Sequence, residues 1–213
     1  MSTSGDERRE RILHEVMAHG KATVTGLSEL LGVTTETIRK DLMTLGERNV
    51  ISKRHGFVTL ATPMPERDSE KGESLYLAEK TAIAERAARL IPQDEAVFLD
   101  TSTTVLCLAS LLALRADLTV ITNSIDVCQA LARSGSKILV TGGLYRTKSN
   151  SCVGSWALRS MESVNVDVAF LGCDGFSPEG PTIRSYQEVE FKRMVARRAK
   201  RTVLLADTSK LGN

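Results

Sequence analysis

The stretch "AVFLDTSTTVLCLASLL", residues 96–112, decides how the larger part of this chain folds. An apolar run, 96–99, stops at Asp100. Thr101, Ser102, Thr103 and Thr104 follow, and a helical apolar pattern begins at Val105. A short apolar run closed by residues that cap helices reads as a buried strand feeding directly into a helix. Hydroxyls and unpaired N–H groups at a helix start favour an anion. Asp100 repels one unless it accepts from hydroxyls on the same molecule. A phosphorylated sugar carries both parts.

Working outward, the same unit recurs. Strand candidates are 96–99, 118–122, 137–141, 167–171 and 202–206, rich in Val, Leu and Ile without clean alternation, as in strands covered on both faces. Helical stretches fall around and between them at 77–91, 103–114, 125–133, 154–163 and 186–198. This alternation predicts an α/β domain with a doubly wound, mostly parallel sheet, whose ligands bind beyond the C-terminal strand ends. The polar residues collect there. Thr122, Asn123 and Ser124 repeat the hydroxyl-rich turn, and Gly142 and Gly143 permit close backbone approach, with Arg146 on the same loop. Asp174 adds a carboxylate and Lys210 a cation. In the basic run near the C-terminus, Lys192 is the member expected near a phosphate. Tyr145 and Trp156 read as packing.

The bulk composition of the 213 residues, 42% hydrophobic and 25% charged, supports a packed core. A net charge of +2 is too small to imply nucleic acid, so any such reading must rest on local clustering. The four cysteines, Cys107, Cys128, Cys152 and Cys173, have no metal-binding or CxxC spacing, and read as small buried residues in a reducing compartment. The three histidines all lie upstream of residue 56, so no metal site and no cofactor is expected. Apolar stretches such as 105–114 fall well short of the ~20 residues that span a bilayer. The charged start "MSTSGDERRERI" lacks a signal-peptide core, which points to the cytoplasm.

The N-terminal part has a different rhythm. "ERRERILHEVMAHG" places Ile12, Val16 and Met17 on one helical face and ends at Gly20. Thr25 is positioned to cap a second helix with Leu27, Leu30 and Leu31 facing the core. Thr34 or Thr35 caps a third, in which Ile38, Leu42 and Leu45 recur at helical spacing. Two short helices around Gly32-Val33 make a helix-turn-helix. The third helix keeps Thr35, Thr37, Arg39 and Lys40 on its polar side, suited to base edges and phosphates. "NVISKRHGFVTL" reads as two strands around Arg54-His55-Gly56, a basic wing carrying Lys53. Between Arg39 and Arg54 five basic residues face two acidic ones. The expected DNA contacts are therefore Thr34, Thr35, Thr37, Arg39, Lys40, Lys53, Arg54 and His55. Residues 61–74 hold two prolines, a glycine and six charges, a linker composition. The expected layout is a winged helix-turn-helix at 1–60, a linker at 61–76 and a sensor domain at 77–213.

"VTTETIRKDLMTLGERNVISKRHG" resembles the N-terminal domain of DeoR-type bacterial transcriptional repressors. The resemblance continues through "EKTAIAERAARLI", "FLDTSTTVLCLASLL", "LTVITNSIDVCQAL", "VTGGLYR", "VDVAFLGCDGF" and "LLADTSKLG", in the family's order. Three positions depart from the usual pattern. Lys40 replaces an arginine, keeping charge but losing the planar fork. Phe57 stands for a second wing glycine, and Ser102 for the glycine of Asp-x-Gly-Thr-Thr, losing freedom in φ. The chain also stops at "SKLGN", where relatives run on through a further strand and helix, so a C-terminal truncation is expected.

The resemblance implies a repressor of a sugar-metabolism operon. It would act as a homodimer or higher oligomer on double-stranded operator DNA, released by a phosphorylated sugar, with no membrane partner. The implied ligand set is Asp100, Thr101, Ser102, Thr103, Thr104, Thr122, Asn123, Ser124, Gly142, Gly143, Arg146, Asp174, Lys192 and Lys210. The domain type is also similar to ribose-5-phosphate isomerase, which defines the alternative: an isomerase-like enzyme with an appended DNA reader. Asp100 or Asp174 would then be the base and Lys210 the acid. The isomerases' Lys-Gly-rich loop has no counterpart here, and the attached reader favours a sensor with no catalytic residue. A third reading, a mere assembly module, predicts an apolar plug in place of the Asp100 and Lys210 pocket.

Overall fold

The computed structural model describes residues 5–54, 56–61 and 76–212. The expected contact His55 and nearly all of the expected linker lie outside the described residues.

Helix α1 (Gly5–His19) buries Ile12, Leu13, Val16 and Met17, a single face at helical spacing. Gly20 ends it at φ +72°, in the left-handed region. Helix α2 (Val24–Leu31) begins two residues earlier than a Thr25 cap predicts. Thr23 holds the extended capping geometry, and its hydroxyl accepts from the Gly26 N–H at 3.0 Å. Leu27 is buried and Leu31 packs against the core, but Leu30 is 52% exposed, against expectation. Helix α3 (Thr35–Glu47) is capped by Thr34 and buries Ile38, Leu42 and Leu45. Strands β1 (Ile51–Arg54) and β2 (Phe57–Leu60) pair antiparallel across a tip with Gly56 at φ +82°. A bridge from Ala22 to Val58 ties this wing to the helices. The winged helix-turn-helix is as the sequence predicts.

Beyond residue 76 the chain alternates helix and strand. In order come α4 (Leu77–Ala88), β3 (Ala96–Leu99), α5 (Thr103–Leu112), β4 (Thr119–Thr122), α6 (Ile125–Leu131) and β5 (Lys137–Val140). They are followed by β6 (Leu144–Arg146), β7 (Ser151–Val153), α7 (Ser155–Glu162), β8 (Val166–Leu171), β9 (Gly175–Ser177), β10 (Gly180–Thr182), α8 (Tyr186–Arg198) and β11 (Ala199–Leu204). The five expected strands form one all-parallel sheet in the order β11-β8-β3-β4-β5. The last strand starts three residues earlier than predicted, leading directly off α8. Two hairpins, β6–β7 and β9–β10, were not foreseen. Their strands are too short to show a period.

The pleat sorts the core into two layers. Val97 and Leu99 face α4, α5 and α6, whereas Phe98 faces α7 and α8, where it meets Phe191 at 5.9 Å between rings. Coverage fails at one edge: Leu139 and Val140 of β5 are 42% and 41% exposed. The strand order reverses at β3, whose neighbours are β4 and β8. The crevice above β3 and β8 is therefore the topological switch point, where open α/β sheets bind ligands.

The two units touch. α1 shares one apolar cluster with α4 and α5, and His14 Nε2 lies 2.9 Å from a Glu85 carboxylate oxygen. Arg48, just past the end of α3, donates to the Leu114 carbonyl beyond α5 at 3.3 Å, and Arg133 donates to the Glu47 carbonyl at 3.1 Å.

Candidate functional site

The candidate DNA-reading surface is built by fixing α3 from beneath and leaving its outer side open. Thr34 caps the helix by accepting from the Thr37 N–H at 3.2 Å, and the two hydroxyls lie 3.0 Å apart. Asp41 points inward, only 3% exposed, and is gripped by Arg8 and by Arg9, the latter at 3.2 Å. Its charge is thus neutralised from α1 and does not oppose the outer cations. Arg39, Lys40, Lys53 and Arg54 are exposed, while Thr35 and Thr37 are half-buried. Arg39 makes only a loose exposed pair with Glu36 at 3.5 Å, which costs little to give up. Lys21, not foreseen as part of this surface, lies 5.8 Å over the Phe57 ring. Arg48, counted in the basic run by sequence, instead turns to the sensor domain.

At the switch point a cavity of about 340 Å3 opens, lined by Thr101, Ser102, Thr103 and Thr104 at the start of α5. Ser102 caps that helix, its hydroxyl accepting from the Val105 N–H at 3.1 Å. Arg146, Asp174, Lys192 and Lys210 line it as well, so eight of the expected residues meet in one place. Sequence reading missed Lys148, Ser149, Gly172, Cys173, Arg184, Ser185 and Glu188, which complete the wall together with Leu205 and Ala206. Lys148 and Ser149 sit in the β6–β7 connection, and Gly172, Cys173, Arg184 and Ser185 flank the β9–β10 hairpin, segments that carried no pattern to find. Five cations face two carboxylates across this space. Arg146 is engaged by Glu188 at 2.9 Å and by the Ser149 hydroxyl at 2.9 Å. Asp174 accepts from the Arg184 N–H at 2.8 Å, closing the β9–β10 hairpin onto the site.

The remaining expected residues stand elsewhere. Asp100 is fully buried beneath the cavity and not on its wall. Its Oδ2 accepts from the Gly172 N–H at 2.9 Å and lies 2.6 Å from Lys192 Nζ. Thr122, Asn123 and Ser124, one strand further along, are buried in a local network. Thr122 donates to the Leu99 carbonyl at 2.6 Å, Asn123 to the Cys152 carbonyl at 3.1 Å, and Ser124 caps α6. β7 covers that turn, with the Cys152 N–H bonded to the Asn123 carbonyl. Gly143, at φ +123°, packs where a Cβ would lie 2.6 Å from the Val153 carbonyl, a reason of packing; neither it nor Gly142 reaches the cavity.

Burial pushes the Cys107 thiol up to about 12, and burial also raises Cys173, although Lys192 and Lys210 pull against it. Both stay protonated, which fits the reading of these cysteines as unreactive. A larger open groove lies between α7 and α8, floored by Leu158, Val189 and Met194, away from the strand ends. Among the described residues no group of His, Cys, Asp and Glu is placed to hold a metal, and no helix is long and apolar enough to cross a membrane.

A winged helix-turn-helix joined to a cation-rich α/β cavity defines a ligand-responsive, DNA-binding transcriptional regulator. Comparison with known proteins is specific. Residues 8–63 match the model of the DeoR-like helix-turn-helix domain, and residues 76–213 that of the DeoR C terminal sensor domain. The chain belongs to the DeoR family. It is 35% identical to the HTH-type transcriptional repressor GlcR of Bacillus subtilis, over 98% of this chain and 81% of that protein. It is 34% identical to the HTH-type transcriptional regulator GolR of Listeria innocua, over 97% of this chain and 82% of that protein. Among solved structures, ribose 5 phosphate isomerase A from Neisseria gonorrhoeae is similar over 63% of this chain and 53% of its own, with 19% identity and a TM-score of 0.46.

Proposed function

We propose that this DNA-binding regulator represses a sugar-metabolism operon, that its effector is a phosphorylated sugar held in the switch-point cavity, and that the effector releases it from DNA. The observation that carries the reading is the convergence of the α5 N-terminus and its four hydroxyl residues with five cations in one space of about 340 Å3. Helix-start N–H groups and cations favour a phosphate. Asp174, Glu188 and the hydroxyls supply partners for a sugar. An apolar assembly plug would bring neither. Sensing is favoured over isomerisation because Asp100, one of the two carboxylates considered as base, is sealed behind Lys192 and off the cavity wall, and the chain belongs to a family of transcriptional regulators. Asp100 is thereby kept from a carbon-bound proton in the cavity.

The route to DNA runs along α5. Its first turn lines the cavity, and just past its end the Leu114 carbonyl receives Arg48, the residue that ends the reading helix α3. Ten residues of helix make a strut of ~15 Å. A ligand that shifts α5 changes how α3 is held. Two copies related by a two-fold axis would set reading helices at half-sites spaced by whole turns, ~34 Å or its multiples.

The test is thermal unfolding of the full chain against a panel of phosphorylated sugars and their unphosphorylated forms, with the solutions assayed afterwards for conversion. A ligand at 100 times its Kd stabilises by about 2.7 kcal/mol. One or two phosphosugars are expected to raise Tm, with no product formed. Turnover of the ligand supports the isomerase instead, and equal shifts by the unphosphorylated sugars refute the phosphate reading.

A further inference from the structure

The sequence sets Asp100 at the heart of the ligand site, yet the folded chain gives it no exposure at all. The carboxylate lies where three elements converge: the end of β3, the end of β8 and the side of α8. Its Oδ2 accepts from the Gly172 N–H at 2.9 Å and forms an ion pair with Lys192 Nζ at 2.6 Å. Oδ1 is buried with no hydrogen-bond partner among the described residues. Lys192 is itself only 11% exposed and also donates to the Gly172 carbonyl at 2.7 Å. An ammonium has three N–H groups. The Gly172 carbonyl takes one, the ion pair with Asp100 holds the ammonium on that side, and Lys192 is among the residues that line the cavity.

We propose that Asp100 is a positioning residue: it never meets the effector, but holds the Lys192 ammonium in one place so that its remaining N–H reaches a phosphate oxygen. The inference rests on the phosphate-binding reading of the cavity. A flexible lysine would spend rotamer freedom on binding; this one is fixed in advance. The pair also presents no net charge, so the cavity's excess of positive charge comes from the other cations. Asp100 as a direct hydroxyl acceptor makes the opposite prediction for a bare anion. A carboxylate in the wall repels inorganic phosphate, so its removal tightens binding. A carboxylate that orders Lys192 strengthens phosphate binding, so its removal weakens it.

Two readouts on the full chain decide between these. The first needs no ligand. A lysine ammonium held by two buried acceptors exchanges slowly enough to give a 1H–15N signal at low temperature, whereas exposed lysines lose theirs. The wild type is expected to show one such signal, assigned by its loss in Lys192→Met and shifted or broadened away in Asp100→Asn. Its absence from the wild type overturns the proposal. The second is titration with inorganic phosphate, followed at the Thr103 and Gly172 amides. Lys192→Met removes one charge-assisted contact and is expected to weaken binding roughly 10- to 100-fold. Asp100→Asn is expected to weaken it several-fold, and in the Lys192→Met background to change it by less than twofold, because Asp100 acts only through Lys192. The double variant also removes the stranded carboxylate, which keeps the cycle measurable if Lys192→Met folds poorly. Tighter phosphate binding by Asp100→Asn, or an equal effect in both backgrounds, refutes the positioning role and leaves the phosphate reading intact. A wild type that shows the ammonium signal but binds no phosphate refutes that reading, and the proposal with it.

Discussion

Gly172→Ala is the sharpest structural perturbation available at the cavity. Gly172 is not among the residues with positive φ, so its backbone accepts an alanine. On backbone grounds alone the change stabilises by about 0.4–1 kcal/mol, through the unfolded chain. Packing reverses the sign. A Cβ there falls 2.2 Å from the Ser102 Cβ and 2.5 Å from its Oγ. Carbon atoms prefer roughly 3.5–4 Å, so one strand end must retreat by more than an ångström. β3 and β8 are hydrogen-bonded neighbours, and Ser102 caps α5, so neither retreats freely. Overpacking of this kind costs about 1–3 kcal/mol, and the upper end applies. For a chain of this size that is a fall in Tm of roughly 6–12 °C. Ser102→Gly removes the obstructing side chain, weakening the cap by only a few tenths of a kcal/mol and adding about 0.5–1 kcal/mol of backbone entropy cost. Combined, the two substitutions should recover most of the loss, a coupling of about 3 kcal/mol. Thermal unfolding of the two singles and the double measures it. Additive effects refute the contact, and with it the placement of the β3 end against the β8 end.

Further outcomes follow from the same geometry. Asp41→Ala leaves Arg8 and Arg9 without their shared partner; because both arginines are partly exposed, the cost is set below the full buried-pair value, at about 2–3 kcal/mol by urea unfolding. A loss under 0.5 kcal/mol contradicts the grip on α3. Thr34→Ala removes the α3 cap, at about 1 kcal/mol by the same assay, while Thr34→Asn retains it. Arg48→Ala is expected to leave effector affinity within twofold and to reduce the effector's influence on DNA affinity; an unchanged coupling rules out the α5 strut. Hydrogen bonding from Arg115 lowers Asp117 from 3.8 to about 2. Its folded value lies below the unfolded one, so the stability it contributes is present above pH ~4 and lost as pH falls through about 2. Asp117→Asn should flatten that limb of the stability profile between pH 4 and 2, and an unchanged slope refutes the assignment.

The elements were legible because their signals were strong. Four-residue apolar runs bounded by polar turns placed β3 at its observed ends, and the α3 pattern of Ile38, Leu42 and Leu45 admitted no other face. Two kinds of feature stayed hidden. The hairpins β6–β7 and β9–β10 have strands of three residues, below the length at which a period can be seen, and they deliver Lys148 and Arg184 to the cavity. The second is the role of a polar residue at a parallel strand end. Thr122-Asn123-Ser124 and Thr101-Ser102-Thr103 read alike, since each can cap a helix or meet a ligand. Only the strand order separates them. The turn at 101–103 opens at the switch point, while the turn at 122–124 is roofed by β7. Asp100 shows the same limit, because nothing local tells that Lys192, far along the chain, closes over it.

The central claim is that occupancy of the cavity governs DNA binding. The direct measurement is the affinity of the full chain for a duplex selected by it from random sequence, at fixed salt, with and without the phosphosugar that raises its Tm. The account predicts a weakening of about 5- to 150-fold, abolished by Lys210→Met together with Lys192→Met, while DNA binding without the sugar persists. An affinity that does not move under saturating effector would contradict it.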